Sequence, residues 1–318
     1  MPDSSRALAM GSLVLAMSMV GSSVVAGRLM VDELPVFLGS TLRFALASAL
    51  LLPLLLKVEG GLPRLGGRTW VMLAMQSFLG SFAFTVFLLQ GLALTSPASA
   101  GIITSATPAF MGLAAWLFFR ERPRGRSLAG IALAVAGVLA INLEAATGGS
   151  ELAPKPLAGN LLVLAAVGCE TLFLLVRKAL PEDRRRLSPL AVSTLLSLLG
   201  LAFFLPAGLW EAAHAGWPSA GPRAWLAVAW YAVVITVGGY YFWFWGVTRV
   251  DGARAGIATA ALPVSSVALS AMVLGETPTP GMLLGCGLVL AGIVAVSGVR
   301  PGSRGAGKGP RRQGSRMR

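Results

Sequence analysis

Charged side chains are scarce in this 318-residue chain, at 12% of all residues, about half the share of a soluble domain. Apolar residues make up 55% and the mean hydropathy is +0.75, so a water-soluble fold is excluded. Histidine occurs once, at His214, which rules out an HExxH metal site and leaves little for Ser–His nucleophilic chemistry. The two cysteines, Cys169 and Cys286, lie inside apolar runs without CxxC spacing or a nearby histidine. They are read as small packing residues, with no disulfide frame and no metal. A nucleotide-binding P-loop is missing too, so direct ATP drive is not encoded and no cofactor is expected.

What the chain has is apolar runs of about 20 residues, the helix length that crosses roughly 30 Å of hydrocarbon. Ten such runs are expected as spans: Ala7 to Met30, Leu34 to Leu56, Thr69 to Gln90, Ser96 to Phe119, Ser127 to Leu143, Leu157 to Val176, Pro189 to Trp210, Ala224 to Val247, Ala253 to Leu274 and Met282 to Val299. Breaks this short join neighbours as antiparallel hairpins. The first run is longer than the apolar core of a cleavable signal and is read as a span that stays.

The formal charge of +13 would suggest a nucleic-acid partner in a soluble chain, but here it is cut into pieces between spans. With the N-terminus inside, 22 of the 26 basic residues fall on the side of both termini, among them the cluster Arg120, Arg122, Arg124 and Arg126. Arg28, Lys155 and Arg223 fall on the other side, and Arg43 lies within a span. Basic residues near span ends are retained on the cytoplasmic side. The expectation is therefore a multi-pass inner-membrane protein with both termini cytoplasmic, the bilayer as partner and no nucleic acid. The Gly/Arg/Lys-rich tail, residues 300–318, is expected to be disordered and drawn to anionic headgroups.

Residues Gly91 to Ile141 align without a gap on Gly246 to Val296 at an offset of 155, with 16 of 51 positions identical. Each half then carries five spans, residues 1–150 and 151–299, and an odd number turns the second half over in the membrane. Loop charges agree: the four arginines between spans four and five have no basic counterpart in Gly275 to Gly281. Conversely, Arg249 and Arg254 before span nine have none in Leu92 to Pro97. The expected fold is an all-α integral membrane protein with ten transmembrane helices in two inverted five-helix repeats, a transporter architecture.

Each half also carries a small-residue helix with a central proline, then a glutamate, then a glycine-rich helix. The residues are Ala100-Gly101-Ile102, Pro108, Glu121 and Ala136-Gly137, and again Ala255-Gly256-Ile257, Pro263, Glu276 and Ala291-Gly292. With Gly21-Ser22-Ser23 and Leu42-Arg43-Phe44, this pattern resembles the EamA-type transporters of the drug/metabolite transporter superfamily over residues 7 to 299. The resemblance implies a central cavity and movement of amino acids, other small metabolites or drugs. Glu170 departs from the apolar or aromatic residues which that pattern leads one to expect in span six.

Arg43 and Glu170 are the charges well inside the hydrocarbon, where ionisable groups are costly unless paired or hydrated. Arg43 is a candidate for a substrate carboxylate, for pairing with Glu170, or for capping backbone carbonyls freed by a nearby Pro or Gly. Glu170 is a candidate for proton coupling, for a substrate ammonium, or for a protonated packing role. Further substrate-binding candidates are Ser22, Ser23, Thr104, Thr107, Thr259, Tyr240 and Trp243, the last two alternatively belt or packing aromatics. Pro108, Pro263, Gly238 and Gly239 are candidate helix breaks or gates, with close helix packing as the plainer role. Glu121 and Glu276 are read as caps of the spans that follow them. The expected function is a secondary transporter, an exporter of small organic metabolites by alternating access, proton-linked in one version. The alternatives are an intramembrane enzyme, for which no acid pair is spaced, and a non-transporting sensor; a homodimer is left open. A reporter fused after Arg318 should be cytoplasmic and one inserted between Glu144 and Pro156 should be on the other side; the reverse pattern contradicts this topology.

Overall fold

A bilayer core offers no water to a backbone amide or carbonyl, so each apolar run must satisfy its own polar groups, and a helix does so. The computed structural model describes residues 3–119, 125–146, 153–179, 187–250 and 252–297. These form α1 (Ala7–Val31), α2 (Val36–Glu59), α3 (Gly67–Leu92), α4 (Pro97–Phe118), α5 (Gly125–Ala145), α6 (Pro156–Val176), α7 (Pro189–His214), α8 (Pro222–Val247), α9 (Arg254–Leu274) and α10 (Pro280–Val296). Nine are long and apolar enough to cross a membrane, and α10 is a shorter apolar helix of 17 residues. No β-strand occurs among the described residues. The basic tail, Glu121 and the arginines at 120, 122 and 124 lie outside them.

Helix starts follow local chemistry. Prolines at 97, 156, 189, 222 and 280 open five helices, where a missing amide hydrogen costs nothing. Side chains of Ser96, Ser188 and Thr279 accept hydrogen bonds from the amides of Ser99, Ala191 and Met282, closing three of those N-termini. Leu117, Phe118, Leu143, Leu209, Met272 and Leu283 are exposed, as suits surfaces that acyl chains cover.

The halves pair by a rule. Helix α5 packs on α10, α2 on α7, α4 on α9, α1 on α8 and α3 on α6. Adding five to each helix number, cyclically, returns the same set of pairs, the signature of a pseudo-twofold relation between the repeats. Their shared core holds Val24, Leu89, Ile102, Val167, Val228 and Val289.

Irregularities are duplicated as well. Wide π turns interrupt α3 at Phe78–Ala83 and α8 at Tyr231–Gly238. Helix α4 breaks after Thr104 and resumes at Thr107, and α9 breaks after Ala258 and resumes at Ala261. Pro108 and Pro263 have no amide hydrogen to give the carbonyls of Thr104 and Thr259 four residues earlier. The chain tightens there, with Ala106 N donating to Ile103 O and Ala260 N to Ile257 O.

Helices α5 and α10 carry no such interruption and pack through glycines. A Cβ at Gly130 would lie 2.8 Å from the Gly292 carbonyl oxygen, and one at Gly292 would lie 2.7 Å from that of Gly130. Gly137 and Gly285 stand in the same reciprocal relation at 2.7 and 2.9 Å. Backbone cannot yield as a flexible side chain does. Gly137→Ala or Gly292→Ala should therefore cost about 1–3 kcal/mol, read as a lower melting temperature of the purified protein. Gly287→Ala on the same helix, where nothing lies within 4 Å, is the control; equal melting of G137A and G287A would contradict the packing account.

Candidate functional site

A cavity of about 440 Å³ lies between the halves, within the size range of small-molecule sites. Its wall takes residues from eight helices, α1 to α4 and α6 to α9, and none from α5 or α10. All four duplicated irregularities reach it: Gly80 and Ser81 of one π turn, Tyr231, Ile235 and Thr236 of the other, and Thr104, Ser105 and Thr259 at the two breaks.

Of the residues singled out in the sequence, Ser23, Arg43, Thr104, Thr107, Pro108, Glu170, Thr259, Gly239, Tyr240 and Trp243 line this cavity. Ser22, Gly238 and Pro263 do not. The Ser22 hydroxyl donates to the Met19 carbonyl at 2.6 Å and accepts from Trp230 Nε1 at 2.9 Å, at the point where α1 is interrupted. Thr104 Oγ1 donates to the Gly101 carbonyl and Thr259 Oγ1 to that of Gly256, the same bond once in each half.

Arg43 is 5% exposed. Its guanidinium carbon lies 4.0 Å from the ring centroid of Tyr231 and 4.4 Å from that of Phe44, so the cation meets two aromatic rings. One terminal nitrogen, Nη2, donates to Thr85 Oγ1 at 2.8 Å, while Nε and Nη1 have no hydrogen-bond partner. The guanidinium thus binds a hydroxyl rather than a freed carbonyl, and among the described residues no ion pair joins it to Glu170. These two nitrogens are buried, while Arg43 as a residue lines the cavity wall.

Glu170 is half-buried on α6, and its Oε2 lies 2.7 Å from Thr107 Oγ1. That hydroxyl is also 2.7 Å from the Thr104 carbonyl oxygen. Trp243 lines the wall and packs against Leu13 and Ala255 as well. Glu276 caps a helix, but not the one that follows it: its Oε2 accepts from Ala98 N at 3.1 Å, at the start of α4. Thr279 caps α10 in its place, because proximity in space, not in sequence, decides which amide a buried carboxylate meets.

Thr85, Phe44 and Tyr231 complete the setting of Arg43; Phe44 stands in the motif quoted from the sequence, while Thr85 and Tyr231 are not among the candidate residues. Thr85 is one hydroxyl in an apolar run, and only tertiary packing brings it 42 positions back to Arg43. Tyr231 lies in a span rich in aromatic residues, Trp230 and Tyr240 to Trp245 among them, and nothing in its spacing distinguishes it from interfacial bulk.

A model of the EamA-like transporter family matches residues 7–143 and again 157–298. An uncharacterised transporter of Bacillus subtilis, YetK, is 44% identical over 282 residues, which is 89% of this chain and 84% of its own length. A protein of Salmonella typhimurium named a probable amino-acid metabolite efflux pump is 30% identical over 67% of this chain and 72% of its own. A solved crystal structure 21% identical in sequence matches 93% of this chain and 99% of its own, with a TM-score of 0.60, a likeness of fold.

Proposed function

The chain belongs to the EamA-like transporter family, and from that membership we propose that it exports small carboxylate-bearing metabolites, amino acids first among them, from the cytoplasm by alternating access. The observation that carries this reading is Arg43: a residue of the cavity wall, 5% exposed, whose guanidinium keeps two buried nitrogens without a hydrogen-bond partner. A buried cation is costly unless its charge and its donors are met. Two ring faces and one hydroxyl meet part of that need, and a substrate carboxylate supplies the rest, through charge-assisted hydrogen bonds worth about 1.5–3 kcal/mol. The relative named as an amino-acid metabolite efflux pump supports the same class of substrate.

Alternating access needs an element that bends in each half. The breaks of α4 and α9 and the π turns of α3 and α8 are such elements, and their pseudo-twofold placement lets each half take the conformation of the other. Helices α5 and α10, pinned together by glycines outside the cavity, serve as the fixed frame. The bias of basic residues toward the side of both termini supports a cytoplasmic placement for that side. No described feature favours an intramembrane enzyme or a sensor.

Counterflow of labelled amino acids in proteoliposomes tests the reading. Arg43→Gln should raise the half-saturation concentration of a carboxylate substrate about 10- to 100-fold while leaving that of its methyl ester little changed. Wild-type affinity in R43Q, or no flux across a broad amino-acid and metabolite panel, would overturn it.

A further inference from the structure

The hydrogen bonds around Thr107 close only for one placement of protons. Pro108 deprives the Thr104 carbonyl of its helical donor, and the Thr107 hydroxyl stands in for it at 2.7 Å. The same hydroxyl oxygen lies 2.7 Å from Glu170 Oε2. A threonine hydroxyl has one hydrogen to give and lone pairs to accept with. A carbonyl oxygen cannot donate, so with Thr107 donating to Thr104 the second contact is a hydrogen bond only when Glu170 carries a proton on Oε2 and donates it to Thr107.

From this arrangement we infer that Glu170 is a proton-binding site of the transport cycle, and that the break in α4 reads its occupancy through Thr107. The inference rests on the transporter reading above. With the proton bound, the chain of donors runs from Glu170 to Thr107 to the Thr104 carbonyl, and the carbonyl left over by Pro108 is satisfied. When the proton leaves for water in the cavity, the carboxylate can only accept. The single hydrogen of Thr107 then turns to the stronger, charged acceptor, and the Thr104 carbonyl loses its donor at the point where α4 is already broken. Loss of that bond favours a rearrangement of the Ser105–Ala106 step or a donor brought by the substrate, since both Thr104 and Ser105 line the cavity.

The device is present in one half alone, which separates it from the duplicated scaffold. At the repeat offset the counterpart of Thr107 is Leu262, and the Thr259 carbonyl takes its bond from the Leu262 amide at 3.1 Å instead. A short local match, Val20-Gly21-Ser22-Ser23 with Val167-Gly168-Cys169-Glu170, places Ser23 as the counterpart of Glu170. Leu262 and Ser23 line the same cavity without such a link, so among the described residues there is one site of this kind.

The surroundings leave the proton to Glu170. Helix α6 packs against α3, α4 and α5. Among the described residues α4 carries no titratable side chain, while Arg68 of α3 and Arg126 and Glu144 of α5 lie at helix ends. Cys169 is the adjacent residue on α6 itself, and Arg43, Tyr231 and Tyr240 share the cavity wall.

Three forms of the full chain in proteoliposomes test this: wild type, Glu170→Gln and Thr107→Val. Substrate exchange is measured with and without an imposed pH gradient, and infrared difference spectra record the carboxylic-acid C=O stretch. In wild type the gradient should drive net flux, and the spectrum should contain a carboxylic-acid band that E170Q lacks. Whatever rate of exchange E170Q retains, that rate should show no response to a gradient. T107V should keep the band at a shifted frequency and lose most of the gradient response. Wild-type flux indifferent to the gradient, full gradient response in E170Q, or no infrared band removed by E170Q would each overturn the inference while leaving the transporter reading intact. Should E170Q fail to fold, T107V decides alone, because an unshifted band with a wild-type gradient response overturns the role of Thr107. Absence of flux of any substrate in wild type would strike the transporter reading instead, and the infrared result would still judge the proton on Glu170.

Discussion

Inside hydrocarbon a carbonyl oxygen without a donor has no water to turn to, and the irregular backbone of this chain is arranged around that fact. Regular helix is kept in α5 and α10, which line no part of the cavity, carry no break and pack on each other through reciprocal glycines. The π turns of α3 and α8 and the breaks of α4 and α9 face the central cavity, where side chains or bound molecules can serve freed backbone groups. Pro108 and Pro263 are therefore causes as much as landmarks. Each leaves one carbonyl over, and what serves that carbonyl differs between the halves: a hydroxyl in α4, a backbone amide in α9.

That difference turns a symmetric scaffold into an asymmetric machine. Duplication supplies two halves that pair by a pseudo-twofold rule, which is what a carrier needs to present one cavity to either side. It does not by itself supply chemistry. In the proposed reading chemistry enters through Arg43 on α2 and through the Thr107–Glu170 pair between α4 and α6, the pair being a contact that the other half lacks. Arg43 is held in place by two rings and a hydroxyl, and two of its buried donors have no partner, which is the ground of the proposal that a substrate carboxylate meets them.

Much of the architecture was legible in the sequence because hydrocarbon thickness dictates run length and basic residues mark one side. The repeat was legible because Pro108, Glu121 and Pro123 recur as Pro263, Glu276 and Pro278 at one offset, and the family match covers both halves. Contacts were harder to read. Nothing in the spacing tells that Thr85 meets Arg43, that Thr107 meets Glu170 across 63 positions, or that Glu276 caps α4 across 178. Hydroxyls and carboxylates choose partners by distance in three dimensions, and helix rotation within the bundle, which sets that distance, is decided by packing that an apolar run of Ala, Leu and Gly barely specifies.

The central claim, that Arg43 waits in the cavity for a carboxylate, is tested most directly by an experimental structure with a transported amino acid bound. The account predicts the substrate carboxylate within about 3 Å of Arg43 Nε or Nη1, with the Thr85 bond and the two ring contacts kept. A bound substrate whose carboxylate lies elsewhere, with both nitrogens still unpartnered, would contradict it.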